Sequence, residues 1–170
     1  FTTRRCVASQ HGRPIFALSA SFHAREADAL DHAASAPPAP PPEDLPSPED
    51  LRAGRVADLP AGVRAYFGRD ASIELRPADT GRFARHPPGP YPARQAVWMR
   101  ASGRLPEDPA LHAAMLAYMS DMTLLDTALV AHGRSVFDLD IQGASLDHAI
   151  WFHRPFRADE WLLYAEDSPS

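Results

Sequence analysis

The chain has 170 residues with no lysine, 17 arginines, 30 alanines and 18 prolines, and a formal net charge of -5. That length suits one ordinary domain or two small ones, and because alanine supplies much of the hydrophobic content the set of bulky core residues is modest. The scattered arginines and negative balance exclude a nucleic-acid groove as the main partner surface. No transmembrane helix is expected, and the lone Cys6 excludes an internal disulfide or a multi-cysteine metal site.

The opening FTTRRCVASQ has no apolar signal-peptide core, so a cytoplasmic protein is expected. This segment is rich in strand formers, and Gln10-His11-Gly12-Arg13-Pro14 is a turn cluster. IFALSASF then resumes with Phe16, Leu18, Ala20 and Phe22 on one face. The first 24 residues therefore predict a hairpin with one buried face and one polar face of Ser19 and Ser21, with Cys6 as a small buried hydrophobe.

Residues 25–70 change character. Seven prolines fall between Pro37 and Pro48 with acids among them, a density that blocks helix and sheet ladders and predicts an extended connector. Ser47-Pro48-Glu49-Asp50 reads as an N-cap, a first-turn proline and two first-turn acids, so a short helix is expected there.

Residues 71–170 form the better-ordered part. SIELRPAD predicts a short strand and GRFARHPPGPYP a loop. RQAVWMRASG predicts a strand with Val97 and Met99 on one face and Trp98 on the other. LPEDPALHAAMLAYMSDMTLLDTAL is the longest helical stretch, IQGASLDHAIWFHRPF reads as a long strand, and DEWLLYAE as another. One helix facing several strands is an α+β arrangement. The chain begins inside a strand pattern and stops just after an apolar strand, as a piece of a longer polypeptide would.

The helix carries the first candidate. Ala114, Ala117, Tyr118, Leu124 and Leu125 surround Asp121 at helical spacing, which places a carboxylate in an apolar stripe. A buried carboxylate needs partners, so Asp121 either bonds loop backbone or a group across an interface, or acts as a proton acceptor. Asp126 points away and reads as an exposed or capping acid.

On the long strand, period two puts Ser145, Asp147, Trp151 and His153 on one face and Leu146, His148 and Phe152 on the other. That parity argues against a triad of Ser145, Asp147 and His148 and against a metal shared by His148 and His153. The histidines read as packed and hydrogen-bonded. No GxSxG elbow, phosphate loop or HExxH is present.

YMSDMTLLDTAL, the SLDHAIWFHRPF strand and the following DEWLLYAE together resemble the acyl-CoA thioesterase II (TesB-like) family, and the remaining segments are similar to it in the same order. The resemblance implies a tandem double hotdog, each unit a curved antiparallel sheet wrapped around a helix. Residues 1–24 would close the first unit, 25–70 would link them, and 71–170 would form the second without its last strands. It implies a homo-oligomer that hydrolyses fatty acyl-CoA to free fatty acid and coenzyme A, with no metal or cofactor. The catalytic groups it implies are Asp121, Ser145 where better-known members carry Thr, and a Gln expected beyond Ser170.

Asp121 would accept a proton from water as it attacks the thioester, and Ser145 would hold the water or the oxyanion. Two other readings compete. One is an acyl-CoA-binding or structural hotdog without turnover. The other is a hydratase or dehydratase, which needs His112 or His148 to approach Asp121. Arg4, Arg94, Arg154 and Arg157 are candidate coenzyme A phosphate contacts.

Overall fold

The computed structural model describes residues 1–24, 26, 30, 32–56, 59–81 and 91–169. The chain divides into two compact units, Phe1–Ser35 and Ala36–Ser170. In the first, β1 (Thr2–Gln10) pairs antiparallel with β2 (Arg13–Phe22). The turn falls at His11 and Gly12, with φ 49° and 73°. Positive φ at both central residues matches the right-handed strand twist of a two-residue hairpin, and Gly12 adopts it at no steric cost.

The register Ala8↔Phe16, Cys6↔Leu18 and Thr2↔Phe22 gathers the expected apolar side chains on one face. That face is not buried: Phe16, Leu18 and Phe22 are exposed, and so is Cys6. A two-stranded ribbon buries an apolar face only under another layer, and among the described residues of this unit no element covers it.

In the second unit, the segment expected to be a proline-rich linker with one short helix contributes to the core. Pro42–Asp44 forms a 3-10 turn with Pro42 buried. The α1 helix (Pro48–Arg52) carries the expected cap as a complete capping box. Asp50 N donates to Ser47 Oγ at 3.1 Å, and Ser47 N donates back to Asp50 Oδ2 at 2.9 Å. A second helix, α2 (Ala61–Gly68), has no counterpart in the expectation from sequence. Leu51, Leu59, Val63 and Phe67 are all under 8% exposed. The prolines stop regular ladders only as far as residue 48. Beyond it, apolar residues spaced four apart supply a helical face worth burying.

The sheet has the order β3-β4-β5, with β3 (Ile73–Pro77), β4 (Arg94–Ala101) and β5 (Leu162–Asp167) antiparallel. The expected alternation holds on β4: Val97 and Met99 are buried, and Met99 meets Leu75 on one side and Leu162 on the other. Trp98 faces outward, where its Nε1 donates to Pro40 O at 2.8 Å. Arg76 Nη1, also on the outer face, donates to Pro42 O at 2.7 Å, so side chains of the sheet pin the proline-rich segment. Most of the expected loop GRFARHPPGPYP lies outside the described residues.

The long helix is two helices, α3 (Pro109–Met119) and α4 (Leu124–Val130), and α4 packs on β4 and β5. Pro109–Val130 taken as one stretch has 22 residues and contains an 18-residue window of mean hydropathy 1.2, enough by length and composition to cross a membrane. Here it is broken at 120–123 and buries Met119, Thr127 and Val130 in this unit.

The expected long strand over 141–156 is irregular backbone, with Leu146 and Trp151 largely exposed. A strand needs a ladder partner, and among the described residues β5 pairs with β4 alone. The segment turns inward only at Phe156 and Ala158. There Ala158 O accepts from Ala101 N at 2.6 Å and Ala158 N donates to His112 Nδ1 at 3.1 Å.

Candidate active site

Asp121 occupies the break between α3 and α4. Its side chain is 50% exposed, and its expected apolar neighbours Tyr118, Leu124 and Leu125 are exposed as well. The stripe presumed an unbroken helix. Interrupting the helix at 120–123 turns Asp121 outward, with its apolar neighbours as a rim.

Asp126 shows the reverse. Expected at the surface, it is 5% exposed and accepts a hydrogen bond from Val136 N at 3.2 Å, capping the loop that follows α4.

The irregular path of residues 144–148 brings together what strand parity separates. Ser145 Oγ donates to Asp121 Oδ1 at 2.8 Å. His148 approaches the same carboxylate, its Nδ1 at 3.8 Å from Asp121 Oδ1, while its Nε2 lies 3.1 Å from Ser120 Oγ. The Ser120 hydroxyl donates to Ala117 O at 3.1 Å, so its oxygen is the acceptor for His148 Nε2–H. On a strand, residues three apart face opposite ways. Here the backbone curls, and both reach Asp121.

His112 stays apart, buried and held by Ala158 N. Asp147 and His153 are exposed and take no part in this group.

Below the carboxylate the inner sheet face is polar. Glu166 is 5% exposed and accepts from Thr123 Oγ1 at 2.6 Å, Thr127 Oγ1 at 2.6 Å and Gln95 Nε2 at 2.9 Å. Tyr164 OH donates to Ser120 O at 2.8 Å. Burial, with the nearby carboxyls of Glu166 and Asp121 adding to it, pushes the Tyr164 phenol up to about 12, so it remains a donor at neutral pH. Sequence reading passed over Gln95, Thr123, Thr127 and Glu166. The one available signal was polar residues at inward parity on β4 and β5.

Beside Ser145 lies a recess of about 600 Å³ lined by Leu125, Val136, Ile141, Gln142, Gly143 and Ala144. Its walls are mostly apolar, so it suits a hydrocarbon chain better than a charged group. Of the candidate phosphate ligands, Arg157 is committed elsewhere. It pairs with Asp159 and Glu107 and donates to Leu105 O. Arg4 donates to its neighbour's carbonyl, Thr3 O, and stays exposed. Among the described residues no three His, Cys, Asp or Glu side chains converge on a point that could hold a metal ion.

An exposed carboxylate hydrogen-bonded to a serine, with an imidazole at its flank and an apolar recess alongside, can take a proton from a water held over a hydrophobic substrate.

Comparison with known proteins places the chain in a family. A family model described as acyl-CoA thioesterase matches residues 70–170. The chain is 37% identical to acyl-coenzyme A thioesterase 8 of Mus musculus, over 99% of this chain and 54% of that protein. It is 32% identical to acyl-CoA thioesterase 2 of Haemophilus influenzae, over 96% of this chain and 56% of that protein. The crystal structure of an acyl-CoA thioesterase II, TesB2, from Mycobacterium marinum superposes with a TM-score of 0.71 at 40% identity, covering 99% of this chain and 56% of that one. The chain thus spans about half the length of the curated relatives it matches.

Proposed function

Because the chain belongs to the acyl-CoA thioesterase family and has its α+β hotdog architecture, we propose that its protein hydrolyses fatty acyl-CoA to free fatty acid and coenzyme A, with Asp121 as general base. The observation that carries this reading is the 2.8 Å hydrogen bond from Ser145 Oγ to Asp121 Oδ1. It orients the carboxylate and leaves Oδ2 open to accept a proton from water. As that water oxygen bonds to the thioester carbonyl carbon, the carbonyl electron pair shifts onto its oxygen and a tetrahedral oxyanion forms. Collapse of the intermediate breaks the carbon–sulfur bond, and the proton leaves with the coenzyme A thiolate as free thiol. The acyl chain lies in the recess beside Leu125 and Val136.

Thiol release from decanoyl-CoA by the full-length protein tests the assignment. Asp121→Asn is expected to lower the rate by about 10²–10⁴. Equal rates for wild type and variant would remove Asp121 from the mechanism.

One observation favours a second reading, a hydratase or dehydratase. His148 Nδ1 sits 3.8 Å from Asp121 Oδ1, the pairing that chemistry requires. Hydration of an enoyl-CoA without thiol release would select it. A cytoplasmic location, expected from the sequence, and a homo-oligomer, implied by the family resemblance, are tested by cell fractionation and light scattering.

A further inference from the structure

Breaking a helix frees backbone carbonyls that an unbroken helix would satisfy, and buried ones need new partners. Around Asp121, two such carbonyls are each taken by a side chain from elsewhere in the unit: Tyr164 OH donates to Ser120 O at 2.8 Å and Tyr66 OH to Met122 O at 3.4 Å. Gln95 Nε2 adds a second donor, at 2.9 Å, to Thr123 O, which already accepts from Asp126 N at 3.1 Å.

The side chain of Thr123 is held as well. It precedes α4 yet makes no cap to that helix. Its hydroxyl donates instead to Glu166 Oε1 at 2.6 Å. Thr127, one turn on and fully buried, donates to Glu166 Oε2 at 2.6 Å and accepts from Gln95 Nε2 at 2.6 Å.

The sheet register explains the convergence. Glu166 lies directly opposite Gln95, and Tyr164 directly opposite Val97. Tyr164 and Glu166 are two apart on β5 and therefore share its inner face. One reaches the backbone on the N-terminal side of Asp121, and the other reaches the residue two positions beyond it.

The Gln95 amide is surrounded by three oxygens, which identifies the atom facing them as the nitrogen. The consequence is that Gln95 Oε1 is buried and, among the described residues, has no hydrogen-bond partner. A buried acceptor left unmade is a cost.

We propose that Tyr164 and Glu166, acting with Gln95 and Thr123, are positioning residues that hold the helix break so that Asp121 meets Ser145. The proposal rests on the hydrolase reading of Asp121. None of the four touches the Asp121 carboxylate in a hydrogen bond. They act through the backbone on either side of it, and small misplacements of a reacting group cost large factors in rate.

The test uses Tyr164→Phe, Thr123→Val and Thr123→Ser in the full-length protein, with decanoyl-CoA turnover and hydrogen–deuterium exchange of the 117–126 segment as readouts. Tyr164→Phe and Thr123→Val are expected to lower kcat about tenfold or more with KM within about twofold. Amide exchange should quicken locally at the break while β3 and β4 stay protected. Thr123→Ser keeps the hydroxyl donor and should restore both kcat and protection.

Unchanged kcat in Tyr164→Phe and Thr123→Val overturns the proposal whether or not exchange changes. So does a Thr123→Ser variant as impaired as Thr123→Val. If Tyr164→Phe fails to fold, the two Thr123 substitutions decide alone. A wild-type protein that releases no thiol from any acyl-CoA defeats the hydrolase reading. In that event the exchange data still decide whether these side chains hold the break, and unaltered exchange overturns that too.

Discussion

Ser145 donates its hydroxyl to Asp121 across 24 residues of sequence, at 2.8 Å, from irregular backbone onto a helix break. Neither residue lies in a regular element, so the pair depends on the surrounding unit for its geometry. The bond uses one carboxylate oxygen and orients the other. Ser145→Ala removes the orienting donor while leaving the base, and about a tenfold to hundredfold loss of kcat is expected in the thiol-release assay, less than for Asp121→Asn. Ser145→Thr keeps the donor and should retain most of the activity. A Ser145→Ala enzyme as fast as wild type would show that the hydroxyl has no part in the reaction.

Strand alternation on β4 and the cap at Ser47 were legible because each is a local rule acting over a few residues. Asp121 was legible as special, but its surroundings were not. The apolar pattern from Ala114 to Leu125 continues through the break, and nothing in that pattern shows that Tyr164, Gln95 and Glu166 offer Ser120, Thr123 and Thr127 other partners. Parity placed Ser145 and His148 on opposite faces for the same reason: it presumes a ladder, and no neighbouring strand among the described residues supplies one. The α2 helix went unseen because the prolines just before it dominate the composition of residues 25–70. Residues Val63 and Phe67, spaced four apart, carried the contrary signal.

Met99 tests the core that supports this arrangement. It is fully buried on the central strand, between Leu75 and Leu162 in register. Truncation to alanine removes everything beyond Cβ from a position walled by both neighbouring strands. Met99→Ala is expected to destabilise the protein by about 2–5 kcal/mol. Urea unfolding followed by circular dichroism measures it, and a loss under about 1 kcal/mol would mean that the sheet relaxes into the cavity.

Acid should loosen the same unit at two identifiable places. The backbone N–H of Ser47, followed by the Ser47 hydroxyl and Arg55, holds the Asp50 carboxyl down to about 2. The Arg157 guanidinium, followed by Leu105 N–H, holds Asp159 well below the usual carboxylate range. For a depressed carboxylate the stabilisation is complete above its unfolded value of about 3.9 and is lost as pH falls through the folded value. The Tm is therefore expected to be flat from pH 7 to about 5 and to fall from about 4 toward 2. Asp159→Asn should lower Tm at pH 7 and weaken the acid dependence. An unchanged acid slope in that variant would assign the sensitivity to other groups.

Gly143 governs the width of the recess beside Ser145. A Cβ built on it would stand 2.3 Å from Leu125 Cδ2, closer than side chains tolerate, so any larger residue must displace the end of Leu125. Leu125 is 40% exposed and can rotate, which lets the protein fold while the space between Leu125, Val136 and Ile141 contracts. An acyl chain gains about 0.8 kcal/mol for each methylene it buries, and that gain depends on room. Gly143→Val should therefore reduce kcat/KM for long acyl-CoA substrates by tenfold or so while changing short ones by less than about threefold, since each lost methylene contact is worth a factor of roughly four. The measurement is a series of kcat/KM values from butyryl-CoA to palmitoyl-CoA for both proteins. Parallel profiles would place the acyl chain elsewhere, whereas a profile truncated only at long chain lengths would put it against Leu125.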